Sequence, residues 1–289
     1  MDEMVTVGPG SGPERKRSPL VLVGLGAVLA VLIAVVVTVG AVRNNAAEGD
    51  QVSKTGTSSE RAPVRNPNGS AGFGKSDVDV FGRGVDIPDS PAGVALEQNP
   101  AAQLQSDAPG WLTAAPRPAS GEGVWQRVFG GPVVRFSTSD GPARIEGKAA
   151  VGFAHTPQGA ALAAEQIYWR TNANPRDREM LVRLVQVTPQ YLAEYDRLVA
   201  EGKVSDRLPE KLRPLLFASD AFRIESYTEE TALIQFARKA RETVDGQPTW
   251  VGMRLAVVWR DGDWKLTAVS GEQQVQIDSL RSIEGWTQW

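Results

Sequence analysis

The stretch WRDGDWKL, residues 259–266, carries the residue types in this chain that are best suited to chemistry. Two aspartates lie between two tryptophans, an arrangement that would suit a carboxylate site in an aromatic pocket. The same stretch contains Asp261-Gly262, the strongest short-range signal for a two-residue hairpin turn. Such a turn sets four cross-strand pairs: Trp259 with Trp264, Arg260 with Asp263, Val257 with Leu266, and Leu255 with Ala268. We therefore interpret the aspartates as a turn residue and half of a charge pair, and the tryptophans as core.

Composition limits the chemistry that the chain can perform. Its 289 residues include no cysteine and one histidine, His155, and the formal net charge is -3. These counts exclude disulfides, cysteine-ligated metals and intramolecular zinc sites with two or three histidines. The glycine-rich stretches lack the strand-loop-helix setting of a phosphate loop. We predict no catalytic, cofactor-binding or metal-binding residue, and the net charge gives no support to direct nucleic-acid binding.

A long apolar run near the N-terminus predicts a membrane span. Residues 20–42 are uncharged and almost wholly apolar, and about 23 residues suffice to cross a hydrocarbon core as a helix. Three basic residues precede the run and only Arg43 follows it, which places residues 1–19 in the cytoplasm and the rest of the chain outside. A cleavable signal peptide is the alternative, although its apolar core runs about 7–15 residues. The predicted location is the cell membrane, single-pass, with an extracytoplasmic C-terminal domain.

Residues 43–120 have the composition of a disordered extracytoplasmic linker, with much Gly, Pro, Ser, Asn, Asp and Ala and few large apolar residues. One segment within it differs. SDVDVFGRGVDIPDSP, residues 76–91, alternates valine and aspartate around Phe81. We interpret it as linker with extended character; the alternative is a short motif that adds a strand to a partner's sheet.

Residues 121–289 have the periodicities of a folded α+β domain with a C-terminal tail. Two Thr-Pro pairs, at 156–157 and 188–189, are helix-start signals, and apolar spacing predicts helices over residues 157–171, 174–187 and 189–202. After Leu216 the apolar period changes to two, which predicts strands that end in the 259–266 hairpin.

Three helices followed by a sheet that ends in VVWRDGDWKL, residues 257–266, are similar to the nuclear transport factor 2-like (cystatin-like) superfamily. The resemblance implies a cone-shaped domain of about three helices packed on a curved antiparallel sheet. With the span and the linker, the predicted fold class is α+β: an N-terminal transmembrane helix, a disordered linker and this cone-shaped domain. Residues 135–167 resemble a segment of membrane-anchored proteins from actinobacterial conjugative elements. The whole layout resembles inner-membrane scaffold subunits of type IV secretion systems. The implied partners are the membrane, other membrane-complex subunits and further copies of the chain.

The first functional hypothesis is a non-enzymatic scaffold or assembly subunit of a conjugation or type IV secretion apparatus. The alternative is an exported module that binds a small ligand in the cone cavity. The residues predicted to serve interaction or to line a pocket are Trp169, Tyr191, Tyr195, Trp250, Trp286 and Trp289. An enzyme that uses His155, Asp220, Glu225 or Tyr227 is less favoured, because fold analogy does not establish an activity. We expect the tail with Trp286 and Trp289 to pack back on the domain.

Overall fold

The computed structural model of the chain describes residues 72–268 and 277–289, apart from residues 80, 208, 211–215 and 217. The helices are α1 (Pro157–Ala173), α2 (Arg178–Leu184) and α3 (Pro189–Ala200), with a short 3-10 turn at Pro100–Ala102. The strands are β1 (Phe73–Val78), β2 (Gly84–Pro88), β3 (Trp125–Arg127), β4 (Val133–Arg135), β5 (Arg144–Glu146), β6 (Ala149–Val151), β7 (Val185–Gln186), β8 (Ala221–Tyr227), β9 (Thr231–Val244), β10 (Gln247–Arg260), β11 (Asp263–Thr267), β12 (Ile277–Leu280) and β13 (Thr287–Gln288).

The two Thr-Pro pairs start helices, as predicted. Thr156 accepts a hydrogen bond from the backbone N–H of Gly159 at 2.9 Å, and Thr188 accepts one from Tyr191 at 3.1 Å. Proline follows each threonine in the first helical position, where no backbone N–H is needed. The helix predicted over residues 174–187 is shorter: α2 begins after Asp177, whose carboxylate accepts from Met180 N, and the chain then enters β7.

The larger sheet has seven strands. Six of them run in the order β13-β8-β9-β10-β11-β7, and β12 also pairs with β10. Helix α1 is buried along its whole length and contacts β8, β9, β10 and β11. Apolar side chains of these strands, Phe222, Ile234, Phe236, Leu255 and Val257 among them, form one core with α1. The helix therefore fills the space over the sheet.

The hairpin at residues 259–266 confirms the predicted turn. Asp261 and Gly262 both have positive φ, 55° and 78°. Trp259 pairs with Trp264 and Val257 with Leu266, as the turn requires. The predicted charge pair between Arg260 and Asp263 is wrong: the Asp263 carboxylate instead accepts backbone N–H groups of residues 152 and 153, because the strand β6 ends directly beside it. The prediction considered only the partner strand.

Strands β1, β2, β3 and β4 form a second sheet in that order. Val85 of β2 is buried with Val133 of β4 in a small core. The disorder predicted for residues 43–120 is therefore wrong from residue 72 onward, and residues 76–91 are a hairpin rather than linker. Few large apolar residues suffice here because the segment pairs with itself and then packs against strands more than 40 positions away.

The predicted fold class is wrong. Strands outweigh helices among the described residues, with 35% of them in strands and 20% helical. None of the three helices within the described ranges is long and apolar enough to cross a membrane. The predicted transmembrane helix, residues 20–42, and the predicted cytoplasmic tail, residues 1–19, lie outside the described residues. The predicted single-pass location at the cell membrane is therefore not supported, and neither is the assignment to a conjugation or type IV secretion apparatus.

Candidate binding pocket

A pocket of about 340 Å³ lies where the two sheets and the C-terminal tail meet. The tail spans the main sheet, because β12 pairs with β10 at one edge and β13 pairs with β8 at the other. The lining residues are Arg83, Trp125, Asp220, Lys239, Trp250, Ile283, Gln288 and Trp289. We call this site the Trp-Arg pocket.

Asp220 is the polar centre of the pocket. Its carboxylate accepts a hydrogen bond from Arg83 Nη2 at 2.9 Å and another from the backbone N–H of Lys239 at 2.9 Å. Burial raises the pKa of Asp220, and the Arg83 guanidinium opposes that rise. The ion pair between Arg83 and Asp220 joins the β1–β2 connection of the four-stranded sheet to the start of β8 in the seven-stranded sheet. It therefore fixes the position of Arg83 in the lining of the pocket.

Ser219 ties the pocket to the helix below it. The indole N–H of Trp289 donates to Ser219 Oγ at 2.7 Å, and Ser219 N donates to Glu165 Oε1 at 2.8 Å. Glu165 lies in the middle of α1 and is buried, and this burial raises the pKa of Glu165 against the hydrogen bonds from Ser219. Trp289 is therefore held in a defined position through a chain of hydrogen bonds that ends in the core.

Two guanidinium groups lie against the indoles of the pocket. Arg83 stands 4.2 Å from the ring centroid of Trp125, and Arg135 lies 5.4 Å from Trp125 and 5.6 Å from Trp289. Arg135 is 1% exposed, and its Nη2 donates to the carbonyl oxygens of Pro116 and Pro118. Its Nε and Nη1 have no hydrogen-bond partner among the described residues. Burial and the neighbouring Arg83 lower the pKa of Arg135 to about 10.

Lys239 adds a further cation to the wall. Its Nζ lies 5.5 Å from the ring centroid of Phe81, and its charge, like that of Arg83, opposes the rise in the pKa of Asp220. The backbone N–H of Lys239, not its side chain, is what binds Asp220. The side chain can therefore be exchanged without breaking that hydrogen bond.

The structure brings two of the six predicted interaction residues, Trp250 and Trp289, into the pocket. Trp169 and Tyr195, at 2% and 1% exposure, and the buried Tyr191 belong to the core. Trp286 lies outside the pocket, with the guanidinium of Arg223 at 4.9 Å from its ring. The tail does pack back, since Trp289 stacks against Phe222 with centroids 4.3 Å apart.

The residues weighed as catalytic candidates do not converge on one site, although Tyr227 contacts His155. His155 is exposed and stacked on Trp259 at 4.0 Å, and Tyr227 donates to the carbonyl of His155 at 3.2 Å. Glu225 forms an ion pair with Arg254 at 2.7 Å, and Asp220 lies in the pocket. In the part of the chain that the structure describes, no group of three or more His, Asp or Glu residues could hold a metal ion.

Sequence reasoning missed the pocket residues Arg83, Trp125 and Lys239. Arg83 was placed in the linker, although FGRG between two Val-Asp segments is a strand-turn-strand signal that would have indicated a hairpin there. No local signal brings Trp125 to Trp250 and Trp289, since their proximity depends on how the two sheets pack.

The described residues form three sheets, the smallest of which is the pair β5–β6, and three helices. An aromatic and basic pocket lies at the junction of the two larger sheets. A family model described as "Domain of unknown function (DUF8175)" matches residues 86–288. The chain belongs to this family. No curated protein and no solved structure matches the chain.

Proposed function

We propose that this chain is a non-enzymatic binding protein whose Trp-Arg pocket holds an anchoring side chain of a partner protein. The observation that carries the proposal is the convergence of Trp125, Trp250 and Trp289 on one open pocket. The three indoles come from β3, β10 and the tail, beside the cations Arg83 and Lys239. Tryptophan and arginine are enriched at the hot spots of protein interfaces, where a few side chains in pockets carry most of the binding energy.

The pocket is preformed. Asp220 and Ser219 together bind Arg83, Lys239 N and Trp289, so the charged and aromatic walls are positioned by hydrogen bonds within the chain. A site that is already ordered loses less conformational entropy when a partner binds, which favours affinity.

The size of the pocket favours one inserted side chain. Small-molecule sites enclose about 300–1,000 Å³, and the 340 Å³ of this pocket is at the lower end of that range. Trp169, Tyr191 and Tyr195 pack in the core and are therefore unsuitable as the lining of a ligand cavity. The resemblance to nuclear transport factor 2-like proteins stays a prediction, and a second copy of the chain, as the scaffold hypothesis predicts, is one form that the partner could take.

The proposal can be tested by selecting random displayed peptides on the full-length chain. We expect the selected peptides to share one anchor residue and to bind at least about tenfold more weakly to Trp250→Ala than to the natural chain, since hot-spot truncations cost about 2 kcal/mol or more. Trp286→Ala is the matched control, because Trp286 lies outside the pocket, and it should leave the affinity unchanged.

Two results would count against the proposal. One is that no peptide family is selected; the other is that binding responds equally to the Trp250 and Trp286 substitutions. Light scattering of the full-length chain over a wide concentration range, with Trp250→Ala alongside, then decides whether the partner is a second copy of the chain.

A further inference from the structure

We infer that the anchor taken by the Trp-Arg pocket is an aromatic ring with a carboxylate next to it, carried by the partner chain. This inference rests on the proposed function and names the chemistry of the side chain that the pocket receives. It is argued from the ring surfaces that line the pocket, from the balance of charge around it, and from the way in which the protein's own cations use the ring faces.

The aromatic half of the anchor follows from the walls. Trp125, Trp250 and Trp289 are each only partly buried, so ring surface is open toward the pocket. Trp250 belongs to β10, and Trp289 belongs to the tail. Large flat rings in contact stabilise a complex by about 0.5–1.5 kcal/mol beyond the apolar area they bury, which favours an aromatic group over an aliphatic one.

The carboxylate half follows from the charge balance. Arg83 and Lys239 line the pocket with one carboxylate, Asp220, which already binds Arg83 and the backbone of Lys239. Among the residues that line the pocket, Arg83 and Lys239 are cationic and Asp220 is anionic, so the lining carries one net positive charge.

A cationic anchor is disfavoured for two reasons. Aromatic cages bind cations through the negative faces of their rings. Here Arg83 and Arg135 already lie over Trp125, and Arg135 lies over Trp289, so protein guanidinium groups use those faces. A further cation would also approach Lys239 and Arg83 without a free carboxylate to receive it.

Four probes separate the two halves of the anchor in calorimetric titrations of the full-length chain. N-acetylphenylalanine carries ring and carboxylate, its amide carries the ring alone, N-acetylalanine carries the carboxylate alone, and phenethylamine carries ring and cation. We expect N-acetylphenylalanine to bind about tenfold tighter than the amide and than N-acetylalanine, with phenethylamine weakest, because charge-assisted bonds are about twice as strong as neutral ones.

Lys239→Gln tests the assignment within the protein. It removes the cation but keeps the backbone N–H that binds Asp220, so we expect about a tenfold loss for N-acetylphenylalanine and no change for the amide. Lys75→Gln is the matched control: Lys75 is an exposed lysine of β1 outside the pocket, and its substitution removes the same charge. Urea unfolding of both variants checks that they remain folded.

The inference is overturned if the amide binds as tightly as the acid, if phenethylamine binds best, or if Lys239→Gln and Lys75→Gln have equal effects. Failure of all four probes while selected peptides still depend on Trp250 would overturn the inference and leave the proposed function standing. Peptides that ignore Trp250 would instead overturn the proposed function.

Discussion

Replacing Asp263 by asparagine is expected to lower the free energy of unfolding by about 2–3 kcal/mol, because this carboxylate holds backbone N–H groups from a distant segment. Asp263 Oδ2 accepts from Gly152 N at 2.6 Å, and Oδ1 accepts from Phe153 N at 3.2 Å and from Trp264 N at 2.9 Å. Asparagine keeps one acceptor oxygen and places a donor at the other position. At least one backbone N–H then faces another donor, and an orphaned buried donor costs about 1–3 kcal/mol.

The expected loss refers to the ionised form of Asp263. Burial raises the pKa of this carboxyl, and the three backbone N–H donors oppose the rise. The ionised group offers two acceptor oxygens, whereas a neutral carboxyl group carries a hydrogen on one oxygen, much as asparagine carries an amide nitrogen there. The difference in stability between Asp263→Asn and the natural chain should therefore shrink at acid pH, where the carboxyl group is protonated.

Two neighbouring substitutions serve as controls. Asp261→Asn changes the same residue type in the same turn, but Asp261 is exposed, pairs only with Lys265 on the surface, and has a positive φ that asparagine tolerates. Arg260→Gln removes the charge that the hairpin register places opposite Asp263. We expect both controls to unfold at the same urea concentration as the natural chain.

Urea titrations of the full-length chain, followed by circular dichroism, measure the free energy of unfolding for all three variants. The interpretation of Asp263 as a backbone acceptor is refuted if Asp263→Asn is as stable as the natural chain. It is also refuted if Arg260→Gln destabilises the chain as much as Asp263→Asn does, since that result would mean that the cross-strand charge pair exists after all.

Three further predictions concern helix α1 and the residues under the pocket. Gly159→Ala should destabilise the chain by about 1–3 kcal/mol in urea titrations, although alanine favours helices. The reason is that the added Cβ would lie 2.1 Å from the carbonyl oxygen of Ala154. A variant that is more stable than the natural chain would contradict this packing. Because burial raises the pKa of Glu165, the folded chain binds that proton more tightly than the unfolded chain, so stability from this group falls as pH rises above about 4. Glu165→Gln should therefore gain stability relative to the natural chain between pH 4.5 and 7, and a constant difference would show that the pKa is not raised. Ser219→Ala should redshift the tryptophan fluorescence, because it releases the indole of Trp289. In a chain that already carries Trp289→Phe, the same Ser219→Ala substitution should leave the emission spectrum unchanged.

Local signals in the sequence determined several elements correctly. The turn at Asp261-Gly262, the register of Trp259 with Trp264, and the caps at Thr156 and Thr188 each depend on residues within a few positions of one another. Backbone sterics and short-range hydrogen bonds decide such features, so the rest of the chain has little influence on them. The absence of cysteine likewise excluded thiol chemistry from the sequence alone.

Composition was a poor guide where tertiary packing supplied the stability. Residues 76–91 contain few large apolar side chains, yet they form β2 and half of β1 and bury Val85 against β4. The sum of apolar content within a segment predicts its order only if the segment must fold by itself. Here the neighbouring sheet provides the missing contacts, and the predicted disorder was wrong.

Only the tertiary structure decided the Trp-Arg pocket. Arg83 and Asp220 are 137 positions apart, and Asp263 reaches Gly152 across 111 positions. Sequence patterns indicate which residues share one face of a strand or a helix. They do not indicate which residues of distant segments come into contact, because such contacts form only when the sheets and the tail pack together. The sequence by itself therefore determined the turns, the helix caps and the excluded chemistry, whereas the packing of the two sheets and the tail determined which side chains form a site.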